Sequence, residues 1–453
     1  MNNPNDPQRM ERIVSLCKRR GFIFQAGEIY GGLNGCWDYG PLGVELKRNL
    51  KDYWWRVMVR ERDDVVGLDG SILTHPAVLK ASGHVDTFSD PMVDCRTCKA
   101  RLREDQVPEK NGAKQCPNCG GKELTEARPF NLMFQTQMGA SAEPESVAYL
   151  RPETAQSIFV QFKNVLDTAR KKIPFGIAQI GKAFRNEINP RNYIFRSREF
   201  EQMELEYFCA PEQGMQLLDY WLEERLRFYE NIGIPRTKLH VLMVPDADRA
   251  FYSKGTYDIE YEFPFGVQEL EGVAYRTNYD LTQHQNASGK SLEYFDEETK
   301  AKFVPHVVEP SAGVDRTVLA LLCEAYDEET VTDEKGKSET RIVLRFHPRI
   351  APYKVGVFPL LKNKPELVAK AREVLALLRP HMMVFYDEGG AIGRRYRRQD
   401  EAGTPFGLTV DFETLGEKGE ELRDTVTLRH RDSMEQERIA IADLLATLLP
   451  QVQ

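Results

Sequence analysis

The stretch Phe184–Phe208, FRNEINPRNYIFRSREFEQMELEYF, gathers four arginines and five glutamates around one turn signal, NPRN, in a chain whose net charge is −8. Asn/Pro clusters of this kind join two strands. By the two-residue period of a strand, Met203, Leu205 and Tyr207 make an apolar side suited to a core, while Phe200, Gln202, Glu204 and Glu206 point the other way. Across the turn, Arg185 and Glu187 share one face of the first strand. Either the charges are surface ion pairs of little energetic consequence, or one sheet face offers arginine to a phosphate, a ring to a base and carboxylates to an amine.

The rest of the chain bears on that choice. With 453 residues, 41% hydrophobic and 29% charged, it has an ordinary globular composition and room for two or three domains with cores of their own. The start, MNNPNDPQRMERIVSLCKRR, lacks a signal-peptide core, and no stretch reaches the ~20 apolar residues of a membrane span, so the expectation is a cytoplasmic protein. Net acidity argues against a protein that coats nucleic acid by bulk charge, although a local basic groove stays open.

Outward from the hairpin, helical and strand patterns alternate. VELKRNLKDYWWRVM (44–58) reads as a helix after the turn DYGPLG, and ESVAYLRPETAQSIFVQFKNVL (145–166) as a strand running into a helix with Ile158, Phe159, Phe162, Val165 and Leu166 on its apolar side. Another helix covers roughly 211–232, and the acidic segment 323–341 reads as a loop. Past RFHPRIAPYK a compact α/β unit begins: strand YKVGVFPL, helix PELVAKAREVLALL, strand MMVFYDE and a final helix MEQERIAIADLLATLL. The expected division is 1–345 and 346–453, with a polar insertion at 90–128. SGHVDTF sets Ser82, His84 and Asp86 close in sequence, but adjacency does not make a triad, and it reads as a loop.

Four of the eight cysteines, Cys95, Cys98, Cys116 and Cys119, form C-x2-C-x17-C-x2-C inside the insertion, the spacing of a four-thiolate zinc ribbon. A disulfide pair is the alternative, and a reducing compartment disfavours it. In VVEPSAGVDRTVLALL (307–322) a strand meets a small-residue turn and a helix with Val314, Val318, Leu321 and Leu322 buried. Arg316 lies about 200° round from Val314, in a first turn whose dipole disfavours a cation unless an anion sits there.

At this point the residues carry a resemblance. FRNE…REF and GVDR resemble the second and third signature motifs of class II aminoacyl-tRNA synthetases, and DYGPLGVELKRNLKDYWW resembles the first, a dimer-interface element in that class. LRPETAQ, YRTNYDLTQH, EPSAGVDR and GRRYRRQDEAGTPF are similar to the dimeric glycyl-tRNA synthetases, so the likeness spans nearly the whole chain.

The resemblance implies a mixed α/β fold: an antiparallel sheet of six or more strands flanked by helices, a zinc-ribbon insertion and a separate anticodon-binding domain. It implies joining of glycine to ATP as glycyl-adenylate, then transfer to the terminal adenosine of tRNA-Gly, without a covalent enzyme intermediate. Arg185 would grip the α-phosphate, Phe200 stack on adenine, Glu187 fix the base and Arg316 meet the γ-phosphate. Asn186, Phe195, Leu270 and Gly313 complete the ATP positions, and Glu269 binds magnesium with the nucleotide. Glu153, Glu204 and Glu309, with Ser311 nearby, would take the glycine ammonium and Arg276 its carboxylate. Phe200 and Gln202 line that pocket, and Arg101 reaches the substrate. In the last domain Arg394, Arg395, Arg397 and Arg398 around Tyr396 would meet tRNA; alone, such a run also suits a solvated face. A synthetase for serine, proline or threonine and a catalytically silent RNA-binding paralogue are the competing readings. EPSAG and the three glutamates weigh against the first, and the presence of Arg185, Glu187 and Arg316 against the second. Ser157 and Tyr275 depart from the usual pattern and leave the pocket's details open.

Overall fold

A computed structural model describes residues 6, 8–110, 112–140, 143, 146–332, 336 and 338–453. Among them, one sheet carries the site. Its strands in chain order are β1 (Val65–Gly67), β2 (Phe175–Phe184), β3 (Glu199–Cys209), β4 (Leu239–Met243), β5 (Gly255–Phe263), β6 (Gly266–Thr277) and β7 (His306–Gly313). They lie side by side as β4-β5-β6-β7-β3-β2-β1, with every neighbouring pair antiparallel except β1 and β2. The expected two faces of the hairpin strand hold: Met203, Leu205 and Tyr207 are buried in the main core.

Helices cover the sheet. They are α1 (Arg9–Arg20), α2 (Pro41–Trp55), α3 (Ala155–Ala169), α4 (Gly214–Asn231), α5 (Tyr279–Ser288) and α6 (Val314–Ala325). Pro41 starts α2, where its missing N–H costs nothing. Gly43 lets α2 press on the preceding chain, since a Cβ there would meet the Phe22 carbonyl oxygen at 1.8 Å. The stripe foreseen on α3 is buried at Ile158, Phe159, Phe162 and Leu166. One ion-pair cluster pins the three signature segments together. Lys47 of α2 lies 2.9 Å from both Glu201 of β3 and Asp315 of α6, and Asp315 also accepts the Glu201 backbone N–H at 2.7 Å.

Two sites on β6 break the alternation. The register to β5 slips so that Ile259 faces Glu271 and Glu260 faces Glu269, leaving Leu270 as the extra residue. The register to β7 slips between Tyr275 and Thr277, leaving Arg276 extra, and Thr277 adopts φ +58. Bulges of this kind re-aim side chains beside active sites.

The second unit is a five-stranded sheet of β8 (Val355–Pro359), β9 (Val384–Tyr386), β10 (Phe406–Val410), β11 (Thr425–His430) and β12 (Gln436–Ala440), in the order β9-β8-β10-β11-β12. It carries α7 (Pro365–Leu378), α8 (Ile392–Ala402) and α9 (Leu444–Val452). Two expectations need correction. The final helix begins only at Leu444, because Gln436–Ala440 pairs with β11 and Arg438 spends its guanidinium on Asp411 at 2.6 Å. The acidic segment 323–341 is a hairpin, Tyr326–Thr332 against Ser338–Leu344, rather than a loop; positions 333–335 and 337 lie outside the described residues. The hairpin is welded to the second unit: Arg341, 1% exposed, donates to Asp400 of α8 at 2.9 Å. Phe346, Ile350 and Ala351 pack in the first core and Val355 in the second, so packing changes hands some residues after 346. No helix among the described residues is long and apolar enough to cross a membrane.

Candidate active site

On the open face of the first sheet lies a cleft of about 400 Å³. It brings together Glu153, Arg185, Glu187, Phe195, Phe200, Gln202, Glu204, Glu269, Leu270, Arg276, Glu309, Ser311, Gly313 and Arg316. Two expected residues fall outside it. The Asn186 backbone N–H is spent on Leu132 at 2.8 Å, and Arg101, with 71% of its side chain exposed, lies 3.8 Å from Asp94 in the cysteine-bearing insertion. Ser157 and Tyr275 are also outside the lining; Tyr275 faces the back of β6 and donates to the Pro211 carbonyl oxygen.

The deep end is acidic and buried. Register sets Glu204 of β3 opposite Ser311 of β7, and Glu309 opposite Ala274 of β6. Ser311 Oγ and the Thr154 hydroxyl donate to Glu204, the former at 2.7 Å. The second bulge turns Arg276 inward, where Asp280 holds it in a fork at 2.8 Å and Glu309 takes a third N–H at 2.8 Å. The Tyr252 ring lies 4.0 Å from that guanidinium. Burial pushes Glu309 up to about 8 against the pull of Arg276, with Glu204 and Glu153 adding to the rise. Glu204 is raised by burial and by Glu153. Glu206, fully buried and without a hydrogen-bond partner among the described residues, is raised well above the carboxylate range by burial and by Glu309. Burial would also raise Glu153, but His84 and Arg276 outweigh it and hold that carboxyl low. The pocket therefore has more carboxylate than cation, and a positive ligand would relieve it.

The open end is cationic. Arg185 Nε donates to the Pro152 carbonyl oxygen at 3.0 Å and its guanidinium lies 5.3 Å from the Phe200 ring; its terminal nitrogens have no acceptor among the described residues. Arg316 covers Phe195 at 4.5 Å and reaches Glu269 at 3.3 Å. The first bulge separates Glu269 and Glu271, two acids that the two-residue period of a regular strand would put on one face. Glu269 stays in the cleft, while Glu271 turns to the helix side and is buried with Arg225 at 2.6 Å. Sequence reasoning passed over Arg196, Arg249, Tyr252 and Asp258, all of which line the cleft. Only the pairing of β5 with β6 and the course of the segment 244–254 bring the last three there. Burial, with Glu269 and Glu260, pushes Asp258 up to about 6.

In the insertion the four sulfurs of Cys95, Cys98, Cys116 and Cys119 lie within 4.8 Å of one another. Each CxxC is followed by a residue of positive φ, Lys99 at 60° and Gly120 at 70°, which closes the knuckle. Backbone N–H groups of Cys98 and Thr97 draw the Cys95 thiol down to about 6. Four soft donors at this spacing fit a tetrahedral zinc ion.

In the second unit the arginine run lies on α8 and divides. Arg394 is exposed. Arg397 and Arg398 are partly exposed and paired with Glu339 and Asp387. Arg395 is turned inward instead: it is 2% exposed and donates to the carbonyl oxygens of Pro359 and Gly390, so it offers nothing to a surface ligand. Tyr396 is also committed, edge-on to Phe358 with Arg429 over its ring.

Residues 134–326 match the family described as tRNA synthetase class II core domain (G, H, P, S and T), and residues 354–451 match the anticodon binding domain. Antiparallel sheet, charged hairpin and helix-borne arginine are thus those of a class II aminoacyl-tRNA synthetase. A glycine–tRNA ligase of Treponema denticola is 52% identical over 446 residues, 98% of this chain and 97% of the relative. Those of Thermobifida fusca and Clostridium perfringens are each 50% identical, over 96% and 97% of both chains respectively. The chain belongs to the glycine–tRNA ligase family.

Proposed function

We propose that the enzyme activates glycine with ATP and transfers it to the 3′-terminal adenosine of tRNA-Gly, and that the cleft divides this work by charge. The observation that carries the reading is the excess of buried carboxylate around Arg276. Glu153, Glu204 and Glu309 with Ser311 receive the glycine ammonium, and Arg276 keeps donors for the carboxylate. A side chain on the substrate would have to enter a space already walled by Tyr252, Gln202 and Phe200, which excludes larger amino acids by size.

Arg185 meets the α-phosphate and Arg316 the γ-phosphate, with Glu187 beside the base. Phe195 and Phe200 offer their rings to the adenine. Each is now covered by a guanidinium, which ATP draws off onto phosphate. A glycine carboxylate oxygen then attacks the α-phosphorus and pyrophosphate leaves; no protein nucleophile takes part, and the chain supplies position and charge. Glu269, with Asp258 beside it, provides hard oxygen ligands for magnesium carried in with the nucleotide. When bound, magnesium neutralises phosphate charge. Zinc at the four cysteines is structural, since four thiolates close the coordination shell.

A homodimer in the cytoplasm is the expected form. Ile29, Tyr30 and Leu33, at 88%, 89% and 59% exposure, stand beside the first signature segment as an apolar patch of the kind a second copy covers. Arg394, with Arg397 and Arg398 on the same helix, is the phosphate-facing candidate of the anticodon-binding unit. The test is amino-acid-dependent ATP–pyrophosphate exchange without tRNA across all twenty amino acids. Exchange with glycine alone is expected, and exchange with another amino acid would overturn the pocket.

A further inference from the structure

SGHVDTF, read from sequence as a plain loop, folds back onto the acidic pocket. His84 Nε2 stands 3.5 Å from Glu153 Oε2, and His84 Nδ1 lies 2.8 Å from Ser82 Oγ. The other Glu153 oxygen accepts the Gln156 amide at 2.8 Å, and Gln156 is in turn fixed by His284 at 2.8 Å. Both oxygens of Glu153 are therefore oriented from behind while its carboxylate faces the cleft. His84 itself is held by the Phe88 ring, edge-on at 5.4 Å.

We infer that His84, backed by Ser82, is a positioning residue for the substrate ammonium, acting through Glu153. The inference rests on the glycine reading of the pocket. The Ser82 hydroxyl lies in reach of His84 Nδ1 and of the Leu79 carbonyl oxygen at 3.2 Å. With Nδ1 engaged there, Nε2 is the ring nitrogen left for Glu153. The charged and titratable groups facing His84 are Glu153, His284 across Gln156, and Arg185 across Phe88.

The experiment measures glycine KM, ATP KM and kcat in pyrophosphate exchange at neutral pH for wild type, His84→Ala and His84→Gln. His84→Ala is expected to raise glycine KM about tenfold at neutral pH, with ATP KM and kcat within about twofold. His84→Gln restores a donor to Glu153, so its glycine KM stays within about threefold of wild type. Unchanged glycine KM in His84→Ala, or a glycine KM in His84→Gln raised as far as in His84→Ala, would overturn the inference. A wild-type enzyme that exchanges with no glycine would overturn the function itself, a result distinct from either.

Discussion

Behind the strand that carries Glu269 and Arg276, the pair Arg225–Glu271 is the most completely buried ion pair of the catalytic unit, with side chains 0% and 1% exposed. Its Nε–Oε1 distance is 2.6 Å, Tyr229 donates to the second carboxylate oxygen at 2.7 Å, and the Phe228 ring lies 4.2 Å from the guanidinium. One arginine nitrogen, Nη2, has no partner among the described residues, so the desolvation of the pair is incompletely offset. Arg225→Met leaves a dry carboxylate with only a tyrosine, and Glu271→Leu leaves a dry guanidinium. Each should cost ~3–5 kcal/mol. The double variant removes both charges and should lie within ~2 kcal/mol of wild type, a coupling of ~4 kcal/mol or more. All four tryptophans, Trp37, Trp54, Trp55 and Trp221, lie in or against the first core, so their fluorescence in urea follows this unit apart from the second. Single variants that cost under ~1 kcal/mol, or a double variant that costs the sum of the singles, would refute the reasoning.

Arg185→Ala should abolish glycine-dependent exchange while leaving the urea midpoint nearly unchanged, because its terminal nitrogens have no acceptor among the described residues; near-normal exchange would count against Arg185 as a phosphate ligand. Elemental analysis should find one zinc per chain, and Cys98→Ser should lose it; a zinc-free protein of full activity would reject a required structural site. Burial, with Arg349 and Lys354, pushes His347 down to about 4. Below the ordinary value of 6.5 the unfolded chain then binds a proton that the folded one refuses, so stability should fall as pH drops from about 6.5 toward about 4. His347→Gln should flatten that part of the curve in urea midpoints taken across the range, and an unaltered slope would clear His347 of the effect.

What the sequence made legible were features with short-range signatures. The two faces of Glu199–Cys209, the stripe of α3 and the four-cysteine spacing each depend on residues a few positions apart, and each recurs in the structure. The residues singled out by motif likeness are mostly collected by the fold in one cleft. The sequence did not show what long-range register decides. Nothing local to VQELEGVAYRT marks Leu270 and Arg276 as extra residues, so Glu269 and Glu271 read as one face. Arg395 reads like its neighbours in GRRYRRQ, yet helix periodicity turns it toward two carbonyls. His84 meets Glu153 across 69 positions, a closeness that only the tertiary fold creates.

The two bulges of β6 make this strand a matter of parity. Between them, odd and even positions are sorted to opposite sides: Gly272, Ala274 and Arg276 to the cleft, Glu271 and Tyr275 to the core behind it. Substitutions there alter one side chain at a time. Removing or adding a single residue between the bulges would instead exchange the two sets wholesale, carrying Arg276 out of the cleft and presenting a core residue in its place. The strand can therefore vary in composition while its length stays fixed, and the count of residues from Glu269 to Arg276 is itself part of the active site.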